Sequence, residues 1–421
     1  MPSARPKILI VALALAAAST HAADLGDAFK LEGFGTLAAH AADDPVATMR
    51  TDARNPNGSR DGRWRLDGDS LASLQLTVNP DGELRGVAQW LAKDDLAKRM
   101  RPRTEWFYAS WDAAPDWNLK LGRLVLPAFM LSDTRNVAFA QTTARPPTVL
   151  YGLNPISHLD GGSFAWRQPA WGGHLSLDGT AGRSQVKLAL GELDLSRIAG
   201  ISMRWSHNGT SLRAGHSTYR AAMNVPSLQR AMATLTGGST ACSNCAAVFA
   251  ERAPGADFEG SLSAIGASFE QGHWQFQAEY AYRNSNTILV SKASAWYGLV
   301  AYRWLAWTPY LVLGAVRTHE PPLGLLTAAG APPGATATQA AFEQFLRGQV
   351  DRRVLQLGLR WDLHDGLALK VQLERAHVNR DPVLGSTSVI SFPLAPPVGD
   401  YTGPAFDGRV NMVSVNLDFV F

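Results

Sequence analysis

Cysteine is almost absent from this sequence, because its 421 residues include only Cys242 and Cys245. Two thiols cannot supply the four ligands of a structural zinc site, and their surroundings do not resemble a thioredoxin-like redox motif. In an oxidising export route, a disulfide between them within one loop is the expected outcome. We therefore expect no metal site and no redox centre, and the sequence implies no cofactor.

The chain also lacks a strong net charge, which is +3 from 39 basic and 36 acidic residues. A balance this small does not support nucleic-acid binding or a polybasic membrane mechanism. The mean hydropathy of −0.09 is far too polar for a helical membrane protein. A barrel that is apolar outside and polar inside averages to about this value.

Long uninterrupted apolar runs are missing as well. The nearest candidate for a membrane helix, residues 295–316, contains Arg303 near its middle and Pro309 soon after it. A central arginine costs about 3 kcal/mol in a membrane helix, and proline removes a helix hydrogen bond. Two strands joined by a turn at residues 305–308 fit this segment better.

The N-terminus has the pattern of a secretory signal peptide. Arg5 and Lys7 precede an uncharged run over residues 8–18, and small residues flank His21. The run is too short to cross a bilayer as a helix. We expect residues 1–22 to be a signal peptide and residues 23–421 to be exported.

The last residues alternate strictly in polarity, which is typical of a strand with one apolar and one wet face. The apolar face carries Val413, Val415, Leu417, Phe419 and Phe421, and the polar face carries Ser414, Asn416 and Asp418. A soluble sandwich could also supply this pattern. The terminal Phe421 resembles the signal by which outer-membrane barrels are recognised for assembly, and the signal peptide points the same way.

Similar alternation recurs in seventeen segments. They centre near residues 34, 74, 88, 108, 121, 165, 177, 188, 201, 215, 265, 278, 298, 312, 358, 372 and 415. A bacterial single-chain barrel has an even strand number and both termini in the periplasm. A trace from the N-terminus and a trace from the C-terminus assign the connections to the same sides of the membrane only if the segment near 188 is loop. We therefore predict an all-β, sixteen-stranded antiparallel transmembrane barrel with short periplasmic turns and long external loops at 126–161, 221–258, 318–350 and 379–408.

One region resembles the strand and inward-folded loop of Gram-negative porins. The resemblance rests on LKLGRLVLP at residues 119–127, Ser132-Asp133, Arg145-Pro146-Pro147 and Tyr151-Gly152. It implies that loop 126–161 folds into the barrel as a constriction and that the protein forms a homotrimer. This loop lacks an acidic cluster, since only Asp133 and Asp160 are acidic, and cation preference is therefore not implied.

These expectations define two sets of candidate residues. The expected constriction contains Arg123, Asp133, Arg135 and Arg145. The expected pore lining contains Arg204, Arg213, Gln277, Glu279, Arg360, Lys370 and Glu374. The competing interpretation is that any wide lumen is lined with solvated polar groups. Arginine outnumbers aspartate in the expected constriction, which predicts a weak preference for anions, and we expect Arg135 and Arg145 to lie in solvated loop.

The sequence thus predicts a passive channel for small hydrophilic solutes in the outer membrane of a Gram-negative bacterium. Its expected partners are outer-membrane lipid, lipopolysaccharide and the barrel-assembly machinery. The alternative is a barrel with a plugged lumen that acts as an adhesin or a lipolytic enzyme. His216 and Ser217 suggest such an enzyme, but adjacent strand residues point to opposite faces and cannot easily meet.

Overall fold

The computed structural model describes residues 23–24, 28–45, 47–52, 58–94, 100–188, 191–236, 242–331, 339, 351–378, 390–391 and 407–421. The expected signal peptide lies outside the described residues. The predicted loop at 318–350 lies outside them from residue 332 onward, except for residue 339. The predicted loop at 379–408 lies outside them except for residues 390, 391, 407 and 408.

Within the described part of the chain, sixteen strands form the wall of a closed barrel. They are β1 Phe29–Ala42, β2 Leu71–Val78, β3 Leu84–Asp94, β4 Met100–Ala114, β5 Trp117–Val125, β6 His158–Ala170, β7 Gly173–Leu188, β8 Gly191–His207, β9 Thr210–Asn224, β10 Phe258–Gln271, β11 Trp274–Ser285, β12 Ala293–Tyr302, β13 Trp307–Thr318, β14 Arg352–His364, β15 Leu367–Val378 and β16 Arg409–Val420. Each strand is antiparallel to the next. The barrel closes because β16 pairs with β1, from Met412 opposite Ala42 to Val420 opposite Phe34.

The predicted strand number and positions are confirmed, with two corrections. Residues 295–316 form most of β12 and β13, as expected, but the turn between them is at 303–306 and not at the predicted 305–308. The expectation that the segment near residue 188 is loop is wrong, because it is the end of β7. Strands β7 and β8 have 16 and 17 residues, and one strand of that length contains two apolar clusters that resemble separate segments.

The connections divide the barrel into two ends. Short turns lie together at residues 79–83, 115–116, 171–172, 208–209, 272–273, 303–306 and 365–366. We name this the turn end, and the opposite side, which carries residues 43–70, 126–157 and 225–257, the loop end. Asn208 and Gly209 both have positive φ, at 43° and 75°, which is the requirement of a two-residue type I′ hairpin turn.

The outer surface is apolar over most of its height. Side chains such as Phe107, Leu121 and Ile265 are 65%, 72% and 60% exposed. Tryptophans are frequent towards the turn end, where Trp307 and Trp361 stack with ring centroids 4.6 Å apart. An apolar band with aromatic residues at its edge is the surface that a bilayer requires of a barrel.

The polarity of the wall inverts near the loop end of β7 to β10. There Leu195, Ile198 and Phe258 are buried inside, whereas Arg197 and Arg220 are exposed outside. A register shift between Leu195 and Ile198 accompanies the change in β8. The expectation that apolar residues face lipid and polar residues face the lumen is therefore wrong here, because this rim encloses an apolar core of its own.

A helical segment of the loop at 225–257 covers this apolar core. Cys245 and Phe249, in the helix Cys245–Arg252, are 1% and 4% exposed. Cys242 and Cys245 form a disulfide, as the sequence predicts, and Asn244 beside them hydrogen-bonds to Gly324 and Leu326. Two loops are thereby joined at the mouth. No helix among the described residues is long and apolar enough to cross a membrane.

The closing seam supports a prediction about the terminal residue. The Gly33 and Phe421 backbones exchange two hydrogen bonds of 2.9 Å, and the Phe421 ring lies so close to Gly33 that a Cβ there would come within 2.2 Å of it. Deleting Phe421 should lower the yield of heat-modifiable barrel in the outer membrane, because it removes both bonds and the ring. Phe107→Ala, which truncates an exposed ring, should leave the yield unchanged. Equal yields of the deletion variant and the parent protein would contradict this account.

Candidate pore and its inserted loop

Residues 126–157 fold into the barrel interior, and we call them the inserted loop. The segment is four residues shorter than expected because β6 already begins at His158. It contains a 3-10 turn at Ala138–Ala140 and a short helix, Thr148–Tyr151, whose four residues are all buried. Backbone that enters a barrel needs hydrogen-bond partners there, and side chains of the wall provide them.

Glu279 on β11 anchors the first part of the inserted loop. Its carboxylate accepts hydrogen bonds from the Met130 backbone N–H at 2.8 Å and from the Tyr151 hydroxyl at 2.8 Å. The Tyr297 hydroxyl on β12 donates to it at 2.6 Å. Glu279 is only 3% exposed. A buried carboxylate is stable in such a position because several donors replace its water.

Lys370 on β15 anchors the middle of the loop by donating hydrogen bonds, whereas Glu279 accepts them. Its Nζ donates to the backbone carbonyls of Ala138, Gln141 and Thr143 at 2.5, 2.6 and 3.1 Å. It also forms an ion pair of 3.0 Å with Asp418 on β16. A fully buried ammonium is therefore surrounded by acceptors. Arg360 on β14 supports the same segment by donating to the carbonyls of Phe139 and Gln141.

Arg145 anchors the last part of the loop through a buried ionic cluster. Its guanidinium donates to Asp69 at 2.7 Å and to Ser414 at 2.6 Å, and Glu374 lies 3.8 Å away. The expectation that Arg145 is solvated is wrong, since only 5% of it is exposed. Burial by itself raises the pKa of Asp69, but the positive charges of Arg145, His40 and Lys93 and the hydrogen bond from Arg145 together outweigh that effect and hold this pKa below its ordinary value.

Close approach to the wall completes the fit of the loop. Arg213 on β9 donates to the carbonyls of Pro127 and Ala128. Beside it, a Cβ on Gly266 would lie 2.5 Å from the Met130 sulfur. A side chain at position 266 would therefore displace Met130, and glycine allows the loop to lie against β10.

These contacts place the inserted loop against one half of the wall and leave a chamber on the other. The chamber has a volume of about 460 Å³ and lies between the loop and strands β4 to β9. Its ionisable lining consists of Lys120, Arg167, Arg204 and Arg213 against Asp133 and Asp178. A second cavity, of about 70 Å³, lies on the β1 to β3 side of the loop and is lined by Arg135 and Arg145.

The four expected constriction residues do not share one site, although Arg135 and Arg145 both line the smaller cavity. Asp133 lines the chamber. Arg123 points to the outside of the wall, where it forms a bidentate ion pair with Asp160 at 2.7 and 2.9 Å. Arg135 donates to the carbonyl of Ile156 at 3.1 Å and thus stabilises the loop itself. The grouping of the arginines was wrong because neighbours in sequence lie on different faces of the wall or beneath the loop.

The expected lining residues all face inward, but most of them are covered. Arg204 lines the chamber and Gln277 donates to the Tyr297 hydroxyl at 2.7 Å. The residues that hold the inserted loop are Arg213, Glu279, Arg360, Lys370 and Glu374. Alternation gives the side of the wall that a residue faces. It gives no information about what covers that side.

Sequence reasoning missed three charged residues of the chamber: Lys120, Arg167 and Asp178. The signal was present, because all three lie in segments correctly predicted as strands. Lys120 alternates with Leu119 and Leu121, which are exposed on the outer face. Applying the same alternation to every strand, and not only to the clearest hairpins, would have found them.

Comparisons with known proteins support this architecture. No protein-family model matches the sequence, and no curated protein resembles it in sequence. Among solved structures, the anion-selective porin from Comamonas acidovorans is similar over 93% of this chain and 100% of its own, with a TM-score of 0.53 and 12% identity. OmpF of Salmonella typhi, solved in complex with daunomycin, is similar over 94% and 98%, with a TM-score of 0.51 and 13% identity. The chain has the fold of the outer-membrane porins.

A third similar structure is OmpT of Vibrio cholerae, expressed in the outer membrane. It matches 94% of this chain and 99% of its own, with a TM-score of 0.51 and 11% identity. At this identity the likeness establishes the porin fold alone, so the side chains of the pore must be interpreted from their own contacts.

The close contact at Gly266 yields one prediction for this porin fold. Gly266→Leu should force the inserted loop away from β10 and lower the free energy of unfolding by about 2 kcal/mol, as overpacking does. The midpoint of thermal unfolding and the single-channel conductance measure both effects. Gly298→Leu is the matched control, since a Cβ on Gly298 has no neighbour within 4 Å. Equal behaviour of the two variants would refute the tight fit.

The Arg145 and Asp69 pair yields a second prediction. Asp69→Asn should destabilise the barrel by about 3 kcal/mol at neutral pH, because it leaves a buried arginine with weaker compensation. The pKa of Asp69 lies below its ordinary value of 3.8, so the stabilisation exists above that pH and is lost as the pH falls through the lowered pKa. The difference in unfolding temperature between variant and parent should therefore shrink in acid. A difference in unfolding temperature that stays constant from pH 7 to pH 3 would contradict this role of the Asp69 carboxylate.

Proposed function

We propose that this protein is a passive diffusion channel for small hydrophilic solutes, with a weak preference for anions. The observation that carries the proposal is the chamber beside the inserted loop, with four cationic and two anionic side chains in its lining. An inner wall with both an open cavity and charged groups suits the passage of hydrated solutes.

Three of the cationic groups are available to a passing ion. No ion pair within 4.0 Å joins Lys120, Arg167 or Arg204 to any acidic group in the described part of the chain. Lys120 instead lies 5.3 Å from the centre of the Tyr108 ring. At about 0.15 M salt the Debye length is roughly 8 Å, so fixed charges act on ions only where a passage is comparably narrow. We propose that the chamber beside the inserted loop, where cationic side chains are in excess, is such a passage.

The surroundings of the channel follow from the same proposal. We place the barrel in the outer membrane of a Gram-negative bacterium, with the turn end in the periplasm and the loop end outside. Its outer band would contact lipid and lipopolysaccharide, and the barrel-assembly machinery would insert it. A homotrimer is proposed from the resemblance to porins alone.

The enzymatic alternative receives no support from its candidate residues. His216 points outward and its Nδ1 lies 2.8 Å from the Ser263 hydroxyl, whereas Ser217 lines the interior. The two residues therefore cannot act as a catalytic pair. The open chamber also disagrees with a filled lumen, and we propose that the protein is not an enzyme.

Reversal potentials in planar bilayers test the proposal. The Lys120→Gln, Arg204→Gln double variant should shift the reversal potential towards cations, and the shift should fade at 1 M salt, where the Debye length is about 3 Å. Arg123→Gln, the control on the outer wall, should leave it unchanged. Open channels with an unaltered potential in the double variant would place the ion path elsewhere, and absence of any conductance in the parent protein would refute the channel.

A further inference from the structure

Two arginines flank a serine on the chamber wall. Arg167 on β6 lies opposite Ser176 on β7, and Ser176 lies opposite Arg204 on β8. The three residues occupy one cross-strand row, and all of them line the chamber. The next position in the row is Arg213, whose guanidinium already donates to the carbonyls of Pro127 and Ala128. Arg167 and Arg204 are thus the members of the row that remain open to a ligand.

The spacing of this row suits a single anionic group. Adjacent strands are about 4.8 Å apart, so the Cα atoms of Arg167 and Arg204 are separated by roughly 10 Å. Because serine is small, an alcove remains between the two long side chains, from which both can reach one carboxylate. The Ser176 hydroxyl donates to Asp178 at 2.9 Å, so Ser176 provides space and not the binding contact.

The acidic neighbours limit the charge of the ligand. Asp178 lies on the same strand as Ser176, and Asp133 of the inserted loop lines the same chamber. Like charges at short range disfavour a second carboxylate on the ligand. Lys120, Arg167 and Arg204 carry three positive charges here, of which Asp133 and Asp178 offset two, while Arg213 already binds the loop carbonyls. The excess of one positive charge among these five groups matches a monoanion better than a dianion.

Part of the remaining lining is apolar, beside the polar side chains of Asn118, Ser163, Thr180 and Ser202. Leu124, Val125, Pro127 and Phe129 contribute to the chamber, as do Trp106 and Tyr108. The volume of about 460 Å³ lies within the range of about 300 to 1,000 Å³ that is usual for small-molecule sites. The ligand should thus combine one carboxylate with a compact apolar body.

We propose that the chamber contains a saturable binding subsite for small organic monocarboxylates, in which Arg167 and Arg204 bind the carboxylate and the apolar lining contacts the body. The inference builds on the proposed channel function, because it names the class of solute that the channel favours. Guanidinium groups suit this task, since they bind carboxylates through forked, charge-assisted hydrogen bonds.

Calorimetry on the purified full-length barrel in detergent tests the proposal, with benzoate as the probe. Benzoate should bind saturably, whereas benzyl alcohol, which lacks the charge, and acetate, which lacks the body, should bind more weakly. Arg167→Gln and Arg204→Gln should each weaken benzoate binding by about tenfold, in line with the loss of a charge-assisted hydrogen bond. Ser176→Leu should also weaken it, by filling the alcove. Arg123→Gln should bind benzoate as the parent does.

Arg204→Lys separates binding from simple charge. This variant should keep the parent reversal potential, because its charge is retained, but it should bind benzoate more weakly because the forked contact is lost. Heat-modifiable migration verifies that each variant is folded. No saturable benzoate binding by the folded parent, or unchanged binding in both glutamine variants, would overturn the subsite.

The two proposals fail in different ways. An anion-preferring channel that does not bind benzoate would overturn the subsite and leave the channel intact. Benzoate binding that depends on both arginines, in a barrel without conductance, would support the subsite and refute the channel.

Discussion

The structure depends on one constraint, which is that the polar backbone of the inserted loop must be hydrogen-bonded inside the barrel. Unpaired backbone groups away from water are costly. The wall solves this with side chains of opposite chemistry: Lys370 donates to loop carbonyls, and Glu279 accepts from a loop amide. Each of these two groups is in turn neutralised or solvated by its neighbours, Asp418 for the lysine and two tyrosine hydroxyls for the glutamate. The position of the loop is thereby fixed mainly by side chains on one side of the barrel.

The shape of the pore is a consequence of that choice of side. Because the anchors lie mainly on β9 to β16, the loop packs there and the chamber is left beside β4 to β9. Small residues such as Ser176 and Ser202 face the chamber, whereas Gly266 makes room for the loop on the opposite half. The same barrel therefore carries one closely packed half and one open half.

The fold could be predicted from the sequence because a barrel wall repeats one simple pattern. Alternation located the sixteen strands, and the even-number rule gave the correct count even though it assigned the end of β7 to loop. The inversion at Ile198 and Leu195 could not be predicted in this way, because whether an apolar face meets lipid or a core depends on where the membrane ends. The contacts between the wall and the inserted loop were harder to predict than the strands. Alternation correctly turned Lys370 inward, but its three loop carbonyls lie more than 220 residues away in the chain, and only the folded structure brings them together.

Inward-facing charges therefore divide into two kinds that the sequence cannot distinguish. A charge such as that of Lys370 or Arg145 is buried and paired with acceptors or carboxylates, so it stabilises the loop and is not available to a solute. Charges such as those of Arg167 and Arg204 face an open cavity and retain their capacity to act on a solute. Since a buried ion pair is costly to break while a solvated charge is cheap to remove, the two kinds differ in what their loss affects. In the proposed channel, selectivity rests on the charges that stability does not need.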